Sequence, residues 1–200
     1  MADFNVFEMM LFTLWIYLPG FLVNTFAMMW GKWLPKTGYG PWPIDGGRMH
    51  KDGNRLLGDG KTWNGLIGGS LTSGLLCYLM TMVPENWIFI SPTEAATGWA
   101  ASAFVLGTFL GFTSLVGDST GSYFKRRKGM KREGDVSSKA PLLDTLPFAI
   151  SVFVFGQLFL TGSNHGDRDL ILPMALLVVI TPILHRSFNL IGYKIGWKDV

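Results

Sequence analysis

The sequence predicts an all-α integral membrane protein, a single transmembrane domain over residues 1–200 with five transmembrane helices, the N-terminus outside and the C-terminus cytoplasmic. Three observations predict it. A mean hydropathy of +0.30 with 14% aromatic residues is too apolar for an ordinary soluble chain of this size. Five segments are long enough and poor enough in charge to cross a hydrocarbon layer of ~30 Å, which takes roughly 20 residues of helix. Lysine and arginine gather in the loops on one side, the pattern of loops retained in the cytoplasm.

The first span is Val6–Met29. It lacks the short apolar core and small-residue cleavage site of a removable signal, so it is expected to stay. Glu8, near its outer end, reads as structural. The second span, Trp63–Val83, contains Cys77, which as the single cysteine forms no intramolecular disulfide. The third, fourth and fifth spans are Gly98–Val116, Leu142–Leu160 and Leu170–Ile191. Small residues at helical spacing (Gly65 with Gly69, Ser70 with Gly74, Gly107 with Gly111) let spans 2 and 3 approach neighbours closely, within the bundle first, with a homodimer as the alternative.

Orientation follows from the basic residues. Lys32, Lys36, Arg48, Lys51, Arg55 and Lys61 fall in the loop 30–62, and Lys125, Arg126, Arg127, Lys128, Lys131, Arg132 and Lys139 in the loop 117–141. Arg186, Lys194 and Lys198 join them at the C-terminal end, and Arg168 alone lies opposite. Trp30, Trp33, Trp63, Trp87 and Trp99 fall at the expected membrane surfaces, which the amphipathic indole favours.

Topology and headgroup contact explain the charge of these loops but not its arrangement. The first loop interleaves its bases with Asp45, Asp52 and Asp59 and with Gly46, Gly47, Gly53, Gly58 and Gly60. A headgroup-binding patch has no use for carboxylates, and glycine at this density signals backbone that turns tightly or approaches a ligand. Backbone N–H groups in such turns make anion-binding concavities, and Arg and Lys add charge-assisted bonds to phosphate. A polyphosphate suits both. "GDGKT" is nevertheless no P-loop, because Arg55 stands where the leading glycine belongs and no strand precedes it.

The second loop begins "GDSTGSYFKRRKGMKREGD" and runs to "APLLDTLPF". Asp118 follows span 3 directly, at a helix end whose dipole disfavours an anion, so a cation is expected beside it. Asp144 lies in the first turn of span 4, where it would complement the helix N-terminus on its own account. Antiparallel neighbours would bring the two carboxylates to one depth, beside Lys125 and Arg126, an arrangement suited to Mg²⁺ with phosphate oxygens and water. His50, His165 and His185 share no metal-ligand spacing, and zinc is not expected.

"PIDGGRMHKDGNRLLGDGKTWNG" together with "GDSTGSYFKRRKGMKR" and "APLLDTLPF" closely resembles the archaeal CDP-archaeol synthases, membrane cytidylyltransferases related to the CDP-diacylglycerol synthases. The resemblance implies transfer of CMP from CTP to 2,3-di-O-geranylgeranylglycerol phosphate in the cell membrane, releasing pyrophosphate, with Mg²⁺ held by Asp118 and Asp144. It implies catalytic roles for those two acids with Lys125 and Arg126. Binding of CTP and lipid phosphate would fall to Asp45, Gly46, Gly47, Arg48, Lys51, Asp52, Asn54, Arg55, Asp59, Gly60, Lys61 and Thr62. Family members commonly carry an acid three residues after the one matching Asp144, where this chain has Pro147, so the expected metal set stops at two carboxylates. No nucleic-acid partner is expected. The CDP-alcohol phosphotransferases are excluded, since no Asp-x-x-x-Asp pair occurs. A small transporter or lipid-binding scaffold is the alternative, though polar groups at mid-membrane, expected of a transporter, are sparse.

Overall fold

The computed structural model describes residues 5–82, 100–130, 141–159 and 171–194. Among them there are five α-helices and no strand: α1 (Val6–Trp33), α2 (Trp63–Met80), α3 (Ala100–Arg127), α4 (Pro141–Phe159) and α5 (Ile171–Lys194). A 3-10 turn, Leu34–Thr37, extends α1. The expectations for Trp87, Trp99, Lys131, Arg132, Lys139, His165, Arg168 and Lys198 lie outside the described residues.

Three of the helices start for visible local reasons. Asn5 caps α1 through a reciprocal pair, accepting from the Glu8 N–H at 2.9 Å while its own N–H donates to the Glu8 carboxylate at 2.9 Å. Glu8 therefore has the structural role its position suggested. Thr62 caps α2, its hydroxyl accepting from the Gly65 N–H at 3.1 Å. Pro141 opens α4, where its missing N–H costs nothing.

α2 packs between α1 and α3, α3 packs on α4, and α5 lies against α4 and α1. The α2 seams are built from small residues. A Cβ on Gly69 would meet the Ala27 side chain and backbone at 3.0 Å, and one on Gly107 would press on the Ser73 carbonyl at 3.0 Å and on Cys77. The small-residue pairs thus work inside the bundle. Hydroxyls cross-link it where water is excluded: Ser73 donates to the Pro19 carbonyl at 3.0 Å and Ser114 to the Gly20 carbonyl at 2.9 Å. The main core gathers Phe12, Ile16, Tyr17, Leu110, Phe148, Val152, Phe155 and Met174 from α1, α3, α4 and α5.

The outside is as apolar as the core. Ile67, Leu71, Leu75 and Leu79 recur every fourth residue along an exposed stripe of α2, Val105, Phe109, Phe112 and Val116 line α3, and Ile150, Val154 and Leu158 line α4. Thr13, Ser70, Ser73 and Ser114 are turned inward. In water this pattern would be a continuous aggregation surface; against lipid it has no such cost, and the inward hydroxyls find partners there. Two stretches, Val6–Thr37 and Ala103–Arg127, are long and apolar enough to span a bilayer, and Leu142–Gly156 and Ile171–Ile183 are shorter apolar helices. α2 is diluted by the glycines and hydroxyls its packing needs.

The largest departure from expectation is the end of α3. The sequence places the boundary at Val116, yet the helix continues to Arg127. Its 28 residues rise about 42 Å, against a hydrocarbon layer of ~30 Å, so falling hydropathy at Gly117 marks the end of the apolar stretch and not of the helix. Packing sustains the polar extension. Gly117 lies against Ser151 and the Pro147 carbonyl, and Gly121 against the Leu143 carbonyl and Pro147, contacts that leave no room for a side chain. The expected loop 117–141 is therefore helical as far as Arg127, and Asp118 is an interior residue of α3. The dipole argument made for it moves to the last turn, where Lys125, Arg126 and Arg127 complement it.

Candidate active site

Residues 42–63 fold back on themselves over the extended end of α3. The base of the loop closes where Trp63 N–H meets the Trp42 carbonyl at 2.8 Å and Ile44 N–H meets the Lys61 carbonyl at 2.9 Å. Its outer part is a small hairpin, held by the His50 N–H to the Asn54 carbonyl at 2.8 Å and the Leu56 N–H to the Arg48 carbonyl at 3.1 Å. Gly46, Gly47, Gly53 and Gly58 all have positive φ, between 55° and 95°, so this path is closed to most side chains.

Asp45 organises the loop. Its carboxylate, with the side chain 1% exposed, accepts from the N–H groups of Gly47 (3.1 Å), Leu57 (3.0 Å) and Gly58 (3.1 Å), and receives the Arg55 fork at 2.7 and 3.2 Å. Burial alone would raise its pKa, but Arg55 and those three N–H groups outweigh burial and hold the carboxyl well below the usual range. Five donors leave it no capacity to read a base or ribose, the role expected from the sequence. Arg55 is similarly occupied, its remaining nitrogen donating to Asp59 at 2.8 Å. Thr62 is engaged as the α2 cap. The "DGG" and "KDGN" stretches signal this arrangement, because Asp turns onto the N–H two residues on: Asp45 to Gly47, and Asp52 to Asn54 at 3.0 Å.

The loop docks on α3 at three levels. Lys61 pairs with Asp118, so the acid has a cation beside it although it does not stand at a helix end. Higher up, Gly58 lies against the Arg126 guanidinium, 3.0 Å from the point a Cβ would occupy. In the last turn Arg127 donates to Asp52 at 2.8 Å and to the Arg55 carbonyl at 2.6 Å, with its guanidinium 5.1 Å over the Tyr123 ring. The Asn54 N–H lowers the Asp52 carboxyl against a smaller effect of burial, and the charge of Arg127 adds to it. Sequence reasoning favoured Lys125 and Arg126 and passed over Arg127. The signal was available: Tyr123 stands one turn before it on the same face.

About two turns beyond Asp118, α3 carries Lys125, which pairs with Asp144 of α4. Asp118 and Asp144 are 18% and 9% exposed. Gly117 opposite Ser151 and Gly121 opposite Leu143 fix the antiparallel register, which sets the two acids within about one turn of each other along the α3–α4 seam. Each carboxylate thus has a lysine ammonium on it. No group of three or more His, Cys, Asp or Glu placed to hold a metal occurs among the described residues. Arg48 and Lys51 are exposed and pair with no acid among the described residues, while Gly46, Gly47, Asp59 and Gly60 lie on the exposed rim. An apolar groove of about 410 Å³, lined by Phe124, Leu142, Leu143, Leu146, Pro147 and Ile150, opens beside Asp144.

A family model described as CarS-like CDP-archaeol synthase matches residues 6–200. The chain belongs to the CDP-archaeol synthase family. A CDP-archaeol synthase of Thermococcus gammatolerans is 36% identical over 191 residues, covering 96% of this chain and 95% of the relative. One of Methanosarcina barkeri is 36% identical over 193 residues, covering 90% and 97%. A solved structure described as an intramembrane enzyme for archaeal membrane lipids biosynthesis superposes with a TM-score of 0.62 at 26% identity, covering 90% of this chain and 94% of that one. Membership of the CDP-archaeol synthase family makes the chain a membrane-embedded nucleotidyltransferase of lipid biosynthesis, and the transporter and scaffold alternatives fall.

Proposed function

We propose that the protein transfers CMP from CTP to 2,3-di-O-geranylgeranylglycerol phosphate in a Mg²⁺-dependent reaction at the cytoplasmic face of the cell membrane. The observation that carries this reading is the pair of lysine–carboxylate contacts on the extended end of α3, Lys61 with Asp118 and Lys125 with Asp144, beneath a glycine-rich loop. The whole chain acts as one transmembrane domain with its N-terminus outside, the topology that the basic residues favour.

A lipid phosphate oxygen attacks the α-phosphorus of CTP, a new P–O bond forms, and the bond to the β-phosphate breaks as pyrophosphate leaves. Both reactants are anions, so the protein's tasks are to position them in line and to offset charge. Lys61 and Lys125 hold two positive charges in half-buried surroundings and lose nothing by exchanging a carboxylate for a phosphate oxygen. Arg48, Lys51 and Arg126 draw the triphosphate to the loop. Asp45 and Arg55 keep the loop's N–H groups aimed, and Asp52, Asn54 and Asp59 are the remaining acceptors for the nucleoside.

Asp118 and Asp144 fit Mg²⁺, because each already neutralises a cation and two carboxylates are what that ion takes when phosphate oxygens and water complete its shell. When bound, the ion would screen the repulsion between the substrates and stabilise the leaving pyrophosphate. The lipid reaches the site laterally from the bilayer, its chains in grooves between helices, and the apolar groove beside Asp144 supports such an approach.

Equilibrium binding of CTP to the purified protein tests the nucleotide half. A charge-assisted bond is worth about 1.5–3 kcal/mol, so Lys61→Ala is expected to weaken CTP binding roughly ten- to a hundredfold. Unchanged affinity would contradict the role given to Lys61.

A further inference from the structure

We propose that Arg127 is a positioning residue that clamps the tip of the glycine-rich loop onto α3 and thereby sets the affinity for CTP, without itself meeting the nucleotide; the second half of this claim rests on the function proposed above. Among the described residues, every hydrogen bond from the helices to the 48–56 hairpin comes from this one guanidinium. One nitrogen reaches the Asp52 carboxylate at 2.8 Å, and the other reaches the carbonyls of Arg55 at 2.6 Å and Asn54 at 3.4 Å. The hairpin's own bonds, His50 to Asn54 and Leu56 to Arg48, give it shape, and Arg55 ties its base to Asp45 and Asp59 within the loop, but none of these reaches a helix. The α3 contacts of Lys61 and Gly58 lie closer to α2, and the Asp45 contacts hold the base of the hairpin, so the tip around Asp52 and Asn54 is tied to α3 through Arg127.

The clamp itself is well held. Arg127 ends α3, its guanidinium lies 5.1 Å over Tyr123, and the chain turns away at Gly129 with φ of 70°. Its side chain is 16% exposed and that of Asp52 34%, so the fork is partly screened from water. A lysine cannot replace it, since a single ammonium does not span a carboxylate and a carbonyl at once. What the clamp carries is Arg48 and Lys51, two exposed cations with no acid partner among the described residues, one on each side of His50. Fixing the tip fixes them.

Hydrogen exchange of the full-length protein in lipid nanodiscs, read on peptides covering 48–57, tests the clamp without reference to activity. Arg127→Ala is expected to speed exchange there at least about tenfold while the helices keep their protection, and Arg127→Lys is expected to recover only part of it. Asp52→Ala, on the far side of the same contact, should act in the same direction, and the double variant should do no more than Arg127→Ala alone. In steady-state kinetics Arg127→Ala should raise KM for CTP about tenfold or more with kcat and the lipid KM nearly unchanged, a split that general destabilisation would not give. Unchanged exchange in both single variants overturns the clamp. Faster exchange with an unchanged KM for CTP overturns its link to the nucleotide. If the unsubstituted protein does not use CTP at all, the function proposed above fails, and the exchange result alone decides the clamp.

Discussion

Replacing Asp45 by Asn removes one charge and keeps the shape, and the consequences follow from its five contacts. The amide oxygen can still accept, but its NH₂ turns donors toward N–H groups of Gly47, Leu57 or Gly58, or toward Arg55. Breaking a buried ion pair typically costs about 3–5 kcal/mol. Arg55 keeps Asp59 and is 26% exposed, so part of its charge is rehydrated and the lower end, about 3 kcal/mol, is the expected cost. That corresponds to roughly a hundredfold more frequent opening of the loop. The helices do not depend on Asp45, so the effect should be local: faster amide exchange at Leu57 and Gly58 with thermal unfolding of the bundle little changed. A depressed carboxyl pKa contributes stability that is complete above the unfolded value of ~3.9 and is lost only as pH falls through the lower folded value. The unsubstituted loop should therefore hold its protection from pH 8 down to about 4. Exchange at Leu57 and Gly58 that is unaltered in Asp45→Asn, or that rises between pH 6 and 5, would refute the reasoning.

Asp118→Asn should reduce turnover at least about a hundredfold with the protein still folded, as expected for removal of a charge-stabilising group from a phosphoryl-transfer site, and a near-normal rate at saturating Mg²⁺ would deny it a metal role. Gly107→Val forces a side chain into the Ser73 carbonyl and Cys77, and a loss of about 1–3 kcal/mol should appear as a lower melting temperature in detergent. Thr62→Ala removes the α2 cap and should cost about 1 kcal/mol by the same assay.

What the sequence reveals here depends on whether the signal is local. Ile67, Leu71, Leu75 and Leu79 and their counterparts declare apolar helices through composition, and the small-residue spacing of α2 and α3 declares close packing. Asp118 was singled out by a charge argument that required a nearby cation, and Lys61 supplies it from 57 residues away. The helix end behind that expectation in fact lies at Arg127, and nothing in the sequence singled out Lys61 over Lys125 and Arg126 as the partner. Hydropathy could not reveal that α3 runs on to Arg127, since the reason lies in Gly117 and Gly121 seating on α4, a contact between segments. The roles of the loop acids were equally hidden. Asp45, Asp52 and Asp59 look alike in sequence, but one is buried under five donors, one ties the hairpin to α3 and one is a rim partner of Arg55.

The most direct test of the central claim is transfer of label from α-³²P CTP into extractable lipid by the purified protein, supplied with 2,3-di-O-geranylgeranylglycerol phosphate, with and without Mg²⁺. The account predicts labelled lipid that depends on both the phosphate acceptor and Mg²⁺, with unlabelled pyrophosphate released. Folded protein that binds CTP yet leaves the lipid unlabelled, or labels it equally well without Mg²⁺, would contradict it.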